Sequence, residues 1–307
     1  MDRIDGFTID AATFDWIGHD LSRPECIVED ADGVLWIADD RSALMRIDRD
    51  GTQRRVGAIG GSPNGFALDA RGRFWIAEIA GGRVCAMTAD GHHEDVLDAF
   101  DGAPLGSANF VLADERGRLW ITVSTRTEPR SRALRESIPD GYLLRIDDPD
   151  RRPWAAVRAA GGFRFTNEVR IDPAGCHLYV AETAAGTITR LPLAEDGSLG
   201  APEPYGPSPL FPGAKVDGIV FDADGNLWVT EISRNAIVVI RPDGTAREVF
   251  ADPDGTVLRL PTSITFIGPD RRTAVIGSLV MDRLATFVSP VAGLPPSSGS
   301  GAPIGGV

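Results

Sequence analysis

Short apolar runs alternate with tight polar turns along almost the whole chain, and few runs are long enough to form a helix. Five segments carry the same punctuation: PECIVEDADGVLWIAD, PNGFALDARGRFWIAE, ANFVLADERGRLWITV, TNEVRIDPAGCHLYVAE and VDGIVFDADGNLWVTE. A sixth, TSITFIGPDRRTAVIG, keeps part of the pattern. Aligned, they set one polar residue per repeat: Glu25, Asn64, Asn109, Asn167, Asp217 and Ser263. Eight residues on stands Gly33, Gly72, Gly117, Gly175 or Gly225. Eleven residues on stands Trp36, Trp75, Trp120 or Trp228, while the fourth repeat has one extra residue and places Tyr179 there.

Each unit predicts a β-hairpin. A short apolar strand follows the polar position, an Asp/Gly turn supplies the positive φ that a tight hairpin needs, and a second strand returns. Further strands, such as residues 83–88 and 236–241, bring the unit to about four strands at the ~40–50-residue spacing of propeller blades. The expected fold is therefore all-β, a six-bladed β-propeller with about four antiparallel strands per blade. Residues 1–294 are expected to form that single domain, and residues 295–307, rich in Gly, Ser and Pro, a flexible tail. A strand near residues 14–18 is expected to close the ring on the last blade.

In such a ring the first strand of each blade lines a central channel, so the six aligned polar residues converge on one axis. Their oxygens are hard ligands that suit Ca²⁺ and, less often, Mg²⁺ or Mn²⁺. Two formal negatives, Glu25 and Asp217, balance one divalent cation, and without one they repel each other. Glu25, Asn167 and Asp217 are read together as metal ligands. For Asn64 and Ser263 two readings stand side by side: substrate contact, or solvation and capping of the first strands.

Composition narrows the function classes. A formal net charge of −13 repels phosphate backbones and argues against a nucleic-acid partner. No run approaches the ~18 apolar residues of a membrane helix, and the acidic N-terminus lacks the apolar stretch of a signal peptide. Three cysteines without a C-x-x-C spacing, Cys26, Cys85 and Cys176, read as free thiols of a cytoplasmic protein. Neither an H-E-x-x-H zinc motif nor a G-x-S-x-G nucleophile elbow occurs.

From about Pro24 to Val288 the blade starts resemble the regucalcin (senescence marker protein)/gluconolactonase family, with the diisopropylfluorophosphatase and paraoxonase types as related six-bladed propellers. The resemblance implies one divalent metal held at Glu25, Asn167 and the Asp217-Gly218 pair. Ca²⁺ is expected first, with Mg²⁺, Mn²⁺, Zn²⁺ or Fe²⁺ as alternatives. It implies that Asn109 contacts metal, metal-bound water or substrate, and that Asp217 is general base or nucleophile. Two departures stand out. Sugar-lactone members show Arg-x-Asn-Asp in the third blade, where this chain has Ser107-Ala108-Asn109-Phe110. Asn-Gly-Leu in the fourth blade is replaced by Asn167-Glu168-Val169. The metal site is kept and the sugar-lactone specificity is lost. Phe110 fits either a more apolar substrate or the blade core.

Counting back along the hairpins places Asp39 opposite Glu25, Glu78 opposite Asn64, Glu182 opposite Asn167 and Glu231 opposite Asp217, with Val123 in the third blade. These acids are read as blade-to-blade bonding or rim charge, or else as a shell that orients the ligands. The third blade also carries the longest interval, with Arg126, Arg130, Arg132 and Arg135 in residues 125–141. That loop is read as an anion-attracting lid with Arg126 on the substrate, or as a surface helix or homo-oligomer contact. The function expected is a metal-dependent hydrolase acting on a small molecule, foremost a lactonase. A phosphotriesterase-like hydrolase at the same metal, a non-catalytic Ca²⁺-binding propeller and a metal-free propeller enzyme of the strictosidine-synthase-like kind are the rivals.

Overall fold

A buried aspartate ends the first strand of each well-kept repeat and organises the turn that follows. Asp222 Oδ1 accepts the backbone N–H groups of Asp224 and Asn226 at 3.0 and 2.9 Å, while Oδ2 accepts Trp228 Nε1 at 2.9 Å. The same Asp-to-Trp bond, 2.9 Å each time, joins Asp30 to Trp36, Asp69 to Trp75 and Asp114 to Trp120. In the fourth repeat His177 Nδ1 lies 3.0 Å from Asp172 Oδ2, in the role of the missing indole. One carboxylate thus satisfies the tight turn and the polar atom of a fully buried tryptophan, whose burial is worth up to ~3 kcal/mol. Burial raises the Asp222 carboxyl above its ordinary range, against the opposing effect of Asn226 and Trp228.

The computed structural model describes residues 3–294. Among the described residues its strands form six four-stranded antiparallel sheets, a six-bladed β-propeller as the repeat predicts, and one small two-stranded sheet, Ala99–Phe100 with Ala103–Pro104. The first strands of the blades are Ile27–Glu29, Pro63–Leu68, Ala108–Ala113, Thr166–Ile171, Val216–Phe221 and Pro261–Ile267. The sixth sheet is completed from the other end of the chain: Asp15–Ile17 pairs with Leu284–Val288, with Trp16 opposite Ala285. This is the closing pair that the sequence places near residues 14–18. Residues 295–307, the expected tail, lie outside the described residues.

The chain divides into two compact units. Among the described residues, one contains those up to Ile27 and those from Arg170 to the last one described. Its cores gather Trp228, Phe266 and Phe287 in one cluster and Tyr179, Tyr205 and Phe221 in another. The other unit spans Val28–Val169 and packs Trp75, Ile121, Tyr142 and Leu144 together. The third-blade loop departs from the strand pattern with one helix, Arg130–Glu136. At seven residues it is too short to show a hydrophobic period. No helix among the described residues is long and apolar enough to cross a membrane.

Candidate active site at the blade starts

The aligned polar residues are all buried: Glu25, Asn64, Asn109, Asn167, Asp217 and Ser263. A β-bulge explains why polar side chains can stand there. In the fifth blade Val216 pairs with Glu231 and Ile219 with Val229, so Asp217 and Gly218 together oppose the single Thr230. Thr230 Oγ1 fills the gap by accepting Gly218 N–H at 2.8 Å. The second blade repeats this with Asn64 and Gly65 opposite Ala77, and in the third Asn109 is the extra residue. A bulge turns a side chain out of the regular in-and-out alternation, which is how these residues leave the apolar sandwich around them.

The glycine after Asn64 or Asp217 is required by the neighbouring blade. A Cβ on Gly218 would lie 2.5 Å from Ser263 Cα and 2.5 Å from Thr262 O. A Cβ on Gly65 would lie 2.1 Å from Phe110 Cδ2. Phe110 is thus a core residue seated on Gly65, which settles the choice between core and substrate wall in favour of core. Glu168, itself buried, stands at the corresponding place after Asn167.

Within the unit that begins at the N-terminus, the structure brings three of the expected residues into sequence around adjacent strands. The Asp217-Gly218 backbone abuts Ser263. A Cβ on Gly277 would lie 2.5 Å from Ser263 Oγ and 2.2 Å from the carbonyl oxygen of Pro24, the residue before Glu25. Ser263 Oγ is buried without a hydrogen-bond partner among the described residues. Glu25 Oε1 accepts a bond from Arg23 Nη2 at 2.7 Å, with side chains only 15% and 8% exposed for Arg23 and Glu25. Arg23 holds φ at +54° immediately before Pro24, a conformation that costs on the order of 1–3 kcal/mol. Sequence reasoning missed Arg23; its place two residues ahead of an aligned acid was the available signal.

In the other unit the amides meet each other. Asn64 Nδ2 donates to the Asn109 carbonyl oxygen at 2.9 Å and to Asn109 Oδ1 at 3.3 Å. Asn167 follows Thr166, whose carbonyl accepts Ser124 Oγ at 2.8 Å.

The bulge also corrects the expected pairing of the second-strand acids. Glu78 lies opposite Pro63 and Glu231 opposite Val216, one residue before the aligned Asn64 and Asp217. Their carboxylates serve the loops of their own blades. Glu78 accepts the N–H groups of Ser62, Ala80 and Gly81, each at 2.7 Å. Glu231 accepts those of Lys215, Ser233 and Arg234 at 2.6, 2.9 and 2.9 Å. They are loop caps, not rim charge.

The arginine loop is anchored by an acid. Asp140 accepts Thr125 Oγ1, Thr127 Oγ1 and the Arg126 N–H at 2.7, 2.9 and 3.0 Å. Arg126 Nη2 donates to the Phe100 carbonyl at 2.8 Å, its Nε to Tyr142 Oη at 3.2 Å, and its guanidinium stacks 4.9 Å from the Tyr142 ring. These contacts make Arg126 a fastening of the loop. Arg132 and Glu136 pair at 3.0 Å along the helix, as a salt-bridged surface helix would.

The donor types at the blade starts suit a hard divalent cation: in one unit two carboxylates and a buried hydroxyl without a partner among the described residues, in the other three amides. Among the described residues no three His, Cys, Asp or Glu side chains cluster as a metal site, so amide oxygens must complete any such set.

A 6-deoxy-6-sulfogluconolactonase of Pseudomonas putida is 28% identical over 221 residues, 72% of this chain and 70% of the relative. A diisopropyl-fluorophosphatase of Loligo vulgaris is 23% identical over 72% of each chain. The solved structure of regucalcin from Agrobacterium tumefaciens, a calcium-binding protein, superposes with a TM-score of 0.69 over 94% of this chain and 95% of its own, at 18% identity. The family model described as the SMP-30/gluconolactonase/LRE-like region matches residues 23–280. The chain belongs to the SMP-30/gluconolactonase/LRE-like family.

Proposed function

We propose that this protein is a lactonase, a hydrolase that opens a cyclic ester with the help of one divalent cation, Ca²⁺ first. Glu25, Asn167 and Asp217 would hold the cation, with Asn109 as fourth ligand. The observation that carries the reading is that Asp217 and Glu25 are both buried at aligned blade starts, that Gly218 packs on Ser263, and that Ser263, whose hydroxyl has no hydrogen-bond partner among the described residues, borders Gly277 together with Pro24. Burying two carboxylates in one unit is costly unless positive charge answers them, and a cation would add to the charge that Arg23 brings to Glu25. The repeat register supplies the amide partners, and the family match covers every one of these positions.

When bound, the cation polarises the substrate carbonyl and stabilises the charge that develops on its oxygen. Asp217 removes a proton from the attacking water, whose oxygen bonds to the carbonyl carbon. The ring C–O bond then breaks, and Asp217 returns the proton to the departing alkoxide. Asn109, held by Asn64 through its backbone carbonyl, orients the substrate, and Ser263 Oγ offers it a hydrogen bond. With Ser107 and Phe110 in place of the Arg and Asp of sugar-lactone sites, the preferred lactone carries fewer hydroxyls than a gluconolactone.

The test is acid release at constant pH over a lactone panel, before and after chelation and with each cation restored. Turnover lost with chelator and regained with Ca²⁺ supports the reading. Acid release from no lactone with any cation sinks it. The fluorophosphatase relative favours a second reading, phosphotriester hydrolysis at the same residues. Turnover of phosphotriesters alone in the same panel would install that reading instead.

A further inference from the structure

Arg23 is the group in this site that the proposed chemistry does not use. Its guanidinium lies 2.7 Å from Glu25 Oε1, and both side chains are almost wholly shielded from water. The backbone around it is pinned on both sides. Leu21 N–H donates to Asp282 O at 2.9 Å, and Pro24 O accepts Ser278 N–H at 2.9 Å. Between these anchors Arg23 takes a left-handed conformation that a residue before proline rarely adopts. Such a conformation persists only where the surroundings enforce it, and here it delivers the guanidinium to an aligned acid.

We propose that Arg23 is a built-in competitor for the cation at Glu25. The inference rests on the reading of Glu25 as a cation ligand given above. In the cation-free protein the guanidinium neutralises Glu25, which would otherwise be a buried charge without a counter-ion. A divalent cation at the same carboxylate meets that positive charge at short range, where little water screens it. Arg23 must withdraw from Oε1, or remain as a repelling neighbour; either way it weakens cation binding. A guanidinium is more weakly hydrated than an ammonium and stays charged, which makes arginine a stronger competitor than lysine at this place.

The experiment is calorimetric titration of Ca²⁺ into chelator-stripped full-length protein. Wild type is compared with Arg23→Met, Arg23→Gln, Arg23→Lys and Glu25→Gln, each checked by circular dichroism for intact strand signal. Arg23→Met and Arg23→Gln are expected to bind Ca²⁺ at least tenfold more tightly than wild type, with Arg23→Lys between. The rise in Tm on adding Ca²⁺ should grow in the same order. Equal or weaker binding by both neutral variants, with Glu25→Gln impaired, overturns the competition and leaves the lactonase reading standing. Undiminished Ca²⁺ binding by Glu25→Gln shows instead that Glu25 is no ligand, and the underlying reading fails together with this one.

Discussion

Asp217 and Asp222 stand at opposite ends of one strand, Val216–Phe221 and its turn, and both are buried. Asp222 is surrounded by donors of its own turn, with Asp224, Asn226 and Trp228 all bonded to it. Asp217 stands in a bulge, and its glycine neighbour lets the backbone of the next strand, Thr262 and Ser263, come close. Burial of a carboxylate therefore says little by itself. What it is buried against separates the turn acid from the acid proposed for the chemistry. The distinction runs through the molecule: Asp30, Asp69 and Asp114 repeat the turn role, Glu78 and Glu231 cap loops, and Glu25 and Asp217 are the acids proposed to carry the chemistry.

The comparison can be broken by exchange experiments. Asp217→Asn should lower kcat/KM for a hydrolysed lactone by about 10³ or more while leaving the urea midpoint nearly unchanged. A stability loss matching that of an Asp222 variant would erase the distinction. Asp222→Ala should do the reverse, removing about 3 kcal/mol in urea unfolding while the folded fraction keeps its turnover.

A pH series sharpens the same point. Burial raises the Asp222 carboxyl, so its folded pKa lies above its unfolded one and the folded state binds the proton more readily. Its unfavourable contribution at neutral pH is relieved as pH falls through the folded pKa. Wild type should therefore gain stability relative to Asp222→Asn between neutral pH and about pH 4. A constant difference across that range contradicts the assignment.

Asn64→Ala removes the bond to Asn109 and should cost about 1 kcal/mol, with the larger kinetic effect in KM. The smallest effect concerns thiols outside the site. Burial, with Asp95 beside it, pushes the Cys85 thiol up to about 12, and Cys26 is buried as well. A thiol reagent near pH 8 should label the exposed Cys176 alone, without loss of turnover; denaturant should expose all three.

Much of this was legible before any coordinates. The repeat carried the strands, the hairpin turns and the six aligned positions, because period-two alternation and Asp/Gly turns are local chemistry. The second-strand acids were displaced by one residue because a bulge inserts an unpaired residue without changing the hairpin's turn. Only the packing of Gly65 on Phe110 and of Gly218 on Ser263 reveals why it is there. The six-residue step from Asp30 to Trp36, or from Asp222 to Trp228, was visible in every good repeat, yet its meaning is a hydrogen bond. Arg126 was legible as charge but not as a fastening, since its partners Phe100 and Tyr142 come from distant segments.

The pairing of Asp15–Ile17 with Leu284–Val288 has a consequence for biosynthesis. The strand Asp15–Ile17 is synthesised well before its partner, since the segments of the other five four-stranded sheets lie between the two in the chain. Until then its backbone edge is unpaired and open to other strands. Completing the sixth sheet therefore requires a closure between segments far apart in the chain. A chain that stalls before residue 284 would carry two exposed strand edges in the cell, one at Asp15–Ile17 and one at Thr273–Ser278.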